Sequence, residues 1–228
     1  MVLDVQTVHS DHLLDRPPLL DGGGFLLYTK GVKDLLFMSE IIVEDMIAPD
    51  KLIFFDTLFA NGPVDHRGDV PYYWCPWSTS NKFPQFSHIL MERESGPCSP
   101  WFEFFREIVY DFLDKNQLPY GAPVRGCLNL TYHVPGYKHT DPHIDYFGKH
   151  YVILLYLNDA DGNTVIFDEE YSEGREPKYD VDTSDFKIKY ESIPKKGKII
   201  CFDGKYYHAL VPTSPGNIRN VCVFNVLC

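Results

Sequence analysis

Between positions 139 and 145 the chain reads HTDPHID, a His-x-Asp pattern twice over: His139-Thr140-Asp141 and His143-Ile144-Asp145. On an extended strand, residues two apart point to the same face. Either pair therefore aims an imidazole and a carboxylate at one point, as two ligands of a single metal ion would be aimed. A lone His-x-Asp is weak evidence, because the spacing arises by chance in many chains. His208 strengthens it: it lies 65 residues beyond His143, directly after the apolar run KIICFD. Two imidazoles and one carboxylate on one side of a metal leave three octahedral positions open, a ligand set that suits Fe(II). Arg219 follows eleven residues after His208, past the turn PTSPGN, and opens the next apolar run. By itself it would read as a surface ion pair. Beside such a metal, its planar fork could hold a carboxylate through two parallel hydrogen bonds.

These residues need a scaffold, and the texture of the chain supplies one. From about residue 124 onward, short β-branched or aromatic runs alternate with turn residues. The runs are 127–133, 150–158, 164–167, 186–192, 198–203 and 219–226, with turns at Pro135-Gly136, Asp161-Gly162-Asn163, Lys196-Gly197 and Pro215-Gly216-Asn217. The first half carries helical signals instead. Apolar spacing predicts a helix over 32–46 and another over 99–117, the latter with Ser99 as N-cap and Pro100 in the first turn. Residues 61–85, aromatic and proline-rich, read as a surface excursion. Helices first and many short strands after imply an α+β chain whose C-terminal half is a sandwich or barrel. The stretch 168–185 holds eight acids and two bases without periodicity. It reads as a solvated insertion, and as a rim or lid it would favour a neutral or cationic substrate.

Composition limits the function classes. The chain has 228 residues and a formal net charge of −11, from 32 acidic and 21 basic residues. A phosphate-backbone binder needs a basic footprint, so a nucleic-acid partner is not expected. No apolar run is long enough to span a bilayer, and the first twenty residues lack the apolar core of a secretory signal. The six cysteines have no metal-ribbon spacing, and Cys127, Cys201 and Cys222 sit inside apolar runs. They read as free thiols in a reduced, cytoplasmic setting.

The whole stretch 129–226 resembles the Fe(II)/2-oxoglutarate-dependent oxygenases, in their prolyl 4-hydroxylase-like branch. The pieces that carry the resemblance are YHVPG, PHID, HYVILLYLNDADGNTVIF, IPKKGKIICFDGKYYHALVP and GNIR, in that order. The resemblance implies a double-stranded β-helix (jelly-roll) core over 124–228; residues 1–123, which the spacing makes helical and irregular, are read with it as one domain from the length of the chain. It implies His143, Asp145 and His208 as the ligands of Fe(2+), in preference to His139 and Asp141, which would then form a rim or support the ligands. Pro142 agrees, since the residue before a proline is biased to approach-segment geometry. The implied cosubstrates are 2-oxoglutarate and O2, with Arg219 on the far carboxylate, helped by Tyr156 and less directly by Tyr132. Thr164, in the Gly-x-Thr turn, would support its strand. The implied reaction is hydroxylation of a prolyl residue in a peptide or of a small amino-acid-like molecule. Two rivals share the scaffold: a non-catalytic binding module, which would commonly have lost a ligand or the arginine, and a nucleic-acid demethylase, which the acidic charge disfavours.

Overall fold

The computed structural model describes residues 42–59, 70–78, 83–172 and 185–228. The elements run β1 (Ile42–Met46), α1 (Pro49–Leu58), β2 (Tyr73–Cys75), β3 (Gln85–Glu92), β4 (Gly96–Pro97), α2 (Phe102–Lys115), β5 (Pro123–Tyr132), β6 (His150–Tyr156), β7 (Thr164–Glu170), β8 (Ile188–Ser192), β9 (Lys198–Asp203), β10 (Tyr206–Leu210) and β11 (Ile218–Leu227). All strand pairings are antiparallel.

An eight-stranded sheet has the order β1-β9-β6-β11-β5-β3-β2, with β4 on β3, and a three-stranded sheet has the order β10-β7-β8. A further bridge pairs His143 with His208 and adds the 143 segment to the free side of β10. From β5 on, the chain crosses between the two sheets: β5 in the large sheet, the 143 segment in the small one, β6 in the large. It then makes β7 and β8 in the small sheet, β9 in the large, β10 in the small and β11 in the large. That winding is a double-stranded β-helix. The side chains between the sheets close the core: Cys127, Val152, Leu154, Tyr156, Ile166, Ile200, Phe202, Tyr206, Val221 and Val223 pack as one buried cluster. Strand β6 is buried along its whole length because it lies between β9 and β11 with both faces covered.

Helix α2 buries Phe102, Phe105, Ile108, Val109, Phe112 and Leu113 along one stripe. Its Phe102 ring meets Phe224 of β11 with centroids 6.1 Å apart. Phe224 alternates with the inward Val223, so α2 covers the outer face of the large sheet. Gly126 makes room for this contact, since a Cβ there would lie 3.1 Å from the Phe224 ring. The helix begins at Phe102, later than the Ser99 cap predicts. Ser99 is engaged in the turn before it, accepting from the Trp101 amide at 3.2 Å and facing His88 Nε2 at 2.7 Å.

The helix predicted over 32–46 is corrected in its last part. Residues 42–46 form an edge strand beside β9, while 32–41 lie outside the described residues. Ile42 and Val43 are β-branched, and pairing with β9 outweighs an apolar spacing that also fits a helix. Glu44 fixes the strand from its other side, with Lys198 Nζ at 3.4 Å and the Tyr190 hydroxyl donating to it. Strands β2 and β3 arise in the half read as helical and irregular and extend the large sheet past β5. Of the acidic insertion, 173–184 lie outside the described residues, and with them the rim or lid reading. All six cysteines are free, with Cys127, Cys201 and Cys222 buried. Among the described residues no helix is long and apolar enough to cross a membrane.

Candidate metal centre and its cavity

Three side chains meet where the 143 segment joins β10. The ligand atoms of His143, Asp145 and His208 all lie within 4.8 Å of one another. His143 Nε2 is 3.7 Å from Asp145 Oδ1, and His208 Nε2 is 3.8 Å from Asp145 Oδ2. Neither gap is a hydrogen bond, and a cation between the three groups would bring them together. Each imidazole is set for this by its other nitrogen. His143 Nδ1 bonds the Asp141 carbonyl at 2.9 Å and His208 Nδ1 the Tyr206 carbonyl at 3.3 Å. A carbonyl only accepts, so Nδ1 carries the proton and Nε2 keeps its lone pair for a metal.

The backbone makes the geometry rigid. His143 and His208 exchange both main-chain hydrogen bonds at 3.0 Å. One bond further along, the Thr140 amide donates to the Leu210 carbonyl at 2.8 Å and Thr140 Oγ1 accepts from the Leu210 amide at 2.9 Å. Burial, and then the neighbouring His143, push His208 down to about 4 against the pull of Asp145. At neutral pH the ring is therefore an uncharged donor. Burial works against the Asp145 charge too, yet facing His208, His143 and Arg125, with the Asn225 amide, hold the carboxyl below the usual carboxylate range. The Asn225 N–H reaches Asp145 Oδ2 at 2.9 Å and adds to the pull of these neighbours.

The triad opens on a cavity of about 370 Å³ between the sheets. Its inner end holds Arg219, only 4% exposed. The guanidinium donates to Thr164 Oγ1 at 2.8 Å and lies 5.3 Å from the Tyr156 ring centre, while its Nε has no hydrogen-bond partner. Among the described residues no carboxylate pairs with it. A buried guanidinium without an anion is costly, and this one faces open volume. Gly162 shapes the same end: a Cβ there would stand 2.9 Å from the Val211 carbonyl oxygen and 3.4 Å from the Arg219 stem. The glycine of the Gly-x-Thr turn is thus a matter of close approach. Val221, Val223 and Leu154 floor the middle of the cavity, and Arg125 and Arg93 flank the end beyond Asp145.

No family model matches the chain, and no curated protein sequence does. Solved structures do. An oxidoreductase of the 2OG-Fe(II) oxygenase family from Burkholderia pseudomallei superposes with a TM-score of 0.52 at 16% identity, over 78% of this chain and 79% of that one. The fold is that of the 2OG-Fe(II) oxygenases. The non-heme alpha ketoglutarate dependent epimerase SnoN from nogalamycin biosynthesis also shares it, with a TM-score of 0.53 and 10% identity over 82% and 79% of the two chains. A Pseudomonas putida prolyl-4-hydroxylase overlaps at a TM-score of 0.48 and 13% identity, over 83% and 94%. The likenesses above a TM-score of 0.5 show the oxygenase fold.

Within this oxygenase fold the residues expected from sequence are distributed unevenly. His143, Asp145 and His208 come together, and Arg219 reaches the same cavity. His139 stays outside the cluster: its Nδ1 bonds the Thr140 carbonyl at 2.7 Å and its ring meets Phe167 edge-on at 5.9 Å. Asp141 serves through its backbone, as acceptor for His143. Tyr156 is fully buried behind Thr164, donating to Thr164 Oγ1 at 3.0 Å. Thr164 does more than support its strand, since it lines the cavity and accepts from both Tyr156 and Arg219. Tyr132 is not among the cavity-lining residues. It lies near Phe86, ring centres 6.2 Å apart, on the face of β5 opposite Thr131. Asn225 and Arg125 were missed. Their signal was available, since both continue the inward alternation of their strands from Arg219 and Thr131.

Proposed function

We propose that the protein is a non-haem Fe(II)- and 2-oxoglutarate-dependent dioxygenase that hydroxylates a prolyl residue or a small amino-acid-like molecule. One observation carries the reading: two Nε2 lone pairs and a carboxylate converge at one end of a cavity whose other end holds a buried guanidinium with no carboxylate partner among the described residues. His143, Asp145 and His208 would hold the iron, and Arg219 would hold the far carboxylate of 2-oxoglutarate, with Thr164 bonding beside it. When bound, the iron and cosubstrate supply the oxidising power, 2-oxoglutarate being decarboxylated to succinate and carbon dioxide as dioxygen is consumed.

The chain's own share is placement. The carbonyls of Asp141 and Tyr206 fix both imidazole tautomers, and Asn225 orients Asp145 through Oδ2. Val221, Val223 and Leu154 give an apolar wall between the two polar ends, which strengthens the electrostatic contacts there. A carboxylate at position 145 completes a three-ligand protein set and supports hydroxylation or a related oxidation.

The test is succinate release by the Fe(II)-loaded protein with 2-oxoglutarate in air, against proline-containing peptides and free amino acids. Turnover that depends on iron and disappears in His208→Ala is the expected result. Tight 2-oxoglutarate binding without succinate under every condition would favour the non-catalytic binding module instead.

A further inference from the structure

The end of the cavity beyond Asp145 carries a second cationic group that the reading above leaves without a task. Arg125 stands on β5 directly opposite Asn225 of β11, as Thr131 stands opposite Arg219. Six strand residues separate the two arginines' rows, roughly 20 Å at ~3.4 Å per residue. The cavity thus has one guanidinium at each end, and the candidate metal ligands lie toward the Arg125 end. Arg93 joins Arg125 there. It donates to the main-chain carbonyl of Asp145 and lies 5.8 Å from the Tyr146 ring centre.

Among the described residues neither Arg93 nor Arg125 forms a carboxylate ion pair at contact distance, although Arg125 faces the Asp145 charge. Of the described residues lining the cavity, three are arginines and one, Asp145, is an acid. In the unloaded chain Arg125 offsets Asp145. That role ends once a divalent cation occupies the triad, because the metal then takes the aspartate's charge and repels the guanidinium beside it. Asp145 and the near carboxylate of 2-oxoglutarate would balance the metal's two charges, and the far carboxylate would balance Arg219. The charges of Arg93 and Arg125 then remain in a half-enclosed space with no counter-charge among the described residues lining it. An arginine fork in that state is a site for a planar or tetrahedral oxyanion.

Resting on the oxygenase reading, the geometry points to a prime substrate that carries its own anionic group, a carboxylate or a phosphate, held by Arg125 with Arg93 at the rim. The site selects a small acid over an internal peptide residue, which has no charge to offer. The volume agrees: about 370 Å³ is at the small end of ligand cavities and holds the cosubstrate as well. This selectivity differs from the preference for a neutral or cationic substrate expected from the acidic 168–185 segment, because it rests on the charges that line the cavity wall itself. The overall charge of −11 leaves this a local, pocket-level selectivity.

The test is calorimetric titration of the full chain, loaded anaerobically with Fe(II) and saturated with 2-oxoglutarate, using acetate, inorganic phosphate and neutral acetamide as probes. Saturable binding of acetate or phosphate and none of acetamide is expected, with the stronger anion identifying a carboxylate or a phosphate substrate. Arg125→Gln weakens that binding at least tenfold, Arg125→Lys recovers part of it, and the rim variant Arg93→Gln weakens it less. Absence of anion binding in the wild-type protein, or equal binding in Arg125→Gln and Arg93→Gln, overturns the proposal. The 2-oxoglutarate titration of the same wild-type sample separates the two ideas. If 2-oxoglutarate fails to bind, the oxygenase reading falls; if it binds and neither anion does, only this inference falls.

Discussion

Replacing Arg219 with methionine should move two quantities in opposite directions. Methionine keeps much of the stem volume and removes the charge. In the unloaded protein the guanidinium is 4% exposed, has one strong hydrogen bond, to Thr164 at 2.8 Å, and leaves Nε unpartnered. Removing such a charge relieves its desolvation penalty and loses about 1–2 kcal/mol of hydrogen bonding. Thr164 keeps a partner, since Tyr156 still donates to it at 3.0 Å. The expected net gain in unloaded stability is about 1–3 kcal/mol, and in a chain of this size each kcal/mol raises Tm by roughly 2–4 °C. The same substitution leaves a buried cosubstrate carboxylate without its charged partner, at a cost of about 3–5 kcal/mol. At about 1.4 kcal/mol per tenfold, 2-oxoglutarate affinity falls between about a hundredfold and a few thousandfold. Thermal melts of the metal-free protein and calorimetry with 2-oxoglutarate on the Fe(II) form read the two effects. A lower Tm together with unchanged 2-oxoglutarate affinity would refute the reasoning, since Arg219 would then be a structural cation.

Other perturbations separate the remaining roles. His143→Ala, Asp145→Ala and His208→Ala should each weaken Fe(II) binding by more than tenfold in a metal titration, while His139→Ala stays within about twofold; the reverse order for the two His-x-Asp pairs would reassign the site. Asn225→Leu removes the N–H that orients Asp145 and should cost 10- to 100-fold in Fe(II) affinity, measured by competition with a chelator. Tyr156→Phe removes one buried hydrogen bond and should lower stability by about 1 kcal/mol in urea unfolding, with a smaller effect on 2-oxoglutarate affinity than Arg219→Met. Gly204→Ala places a Cβ 2.1 Å from the His150 ring. It should therefore lower Tm by more than a typical surface substitution, and an unchanged melt would mean that the ring moves freely.

What the sequence disclosed depends on how local the signal is. Strands β6, β9 and β11 were legible because they are short apolar runs closed by glycine turns, and each lies in the core of the fold. Two of the three candidate ligands were legible because a His-x-Asp pair is local, although choosing between the two pairs needed the resemblance, and His208 had to be found 65 residues further on. The structure places His143 opposite His208. The edge strand β1 was not legible, because Ile42, Val43 and Met46 satisfy helical spacing and only β9 turns them into a strand. Helix α1 escaped notice for a related reason. Its apolar residues surround the axis instead of forming a stripe, leaving Ile53 and Phe54 exposed. Asn225 and Arg125 carry no motif at all. Alternation along β11 and β5 puts them on the inward face, but only the register between the two strands, a long-range pairing, sets them opposite each other.

The reciprocal main-chain bonds between His143 and His208 have a consequence for how the protein matures. These residues are 65 positions apart, and the backbone ladder joins them with no ion required. In a zinc finger, ligation drives folding, and the chelated chain unfolds. Here the ladder gathers the candidate ligands as the sheet forms, so the chain should fold without metal and offer a finished nest to a divalent cation. The entropy of gathering the ligands is already spent by the sheet, so loading and stripping become reversible events on a standing structure. Metal-free protein should accordingly keep its fold, and Fe(II) added after chelation should bind without a refolding step.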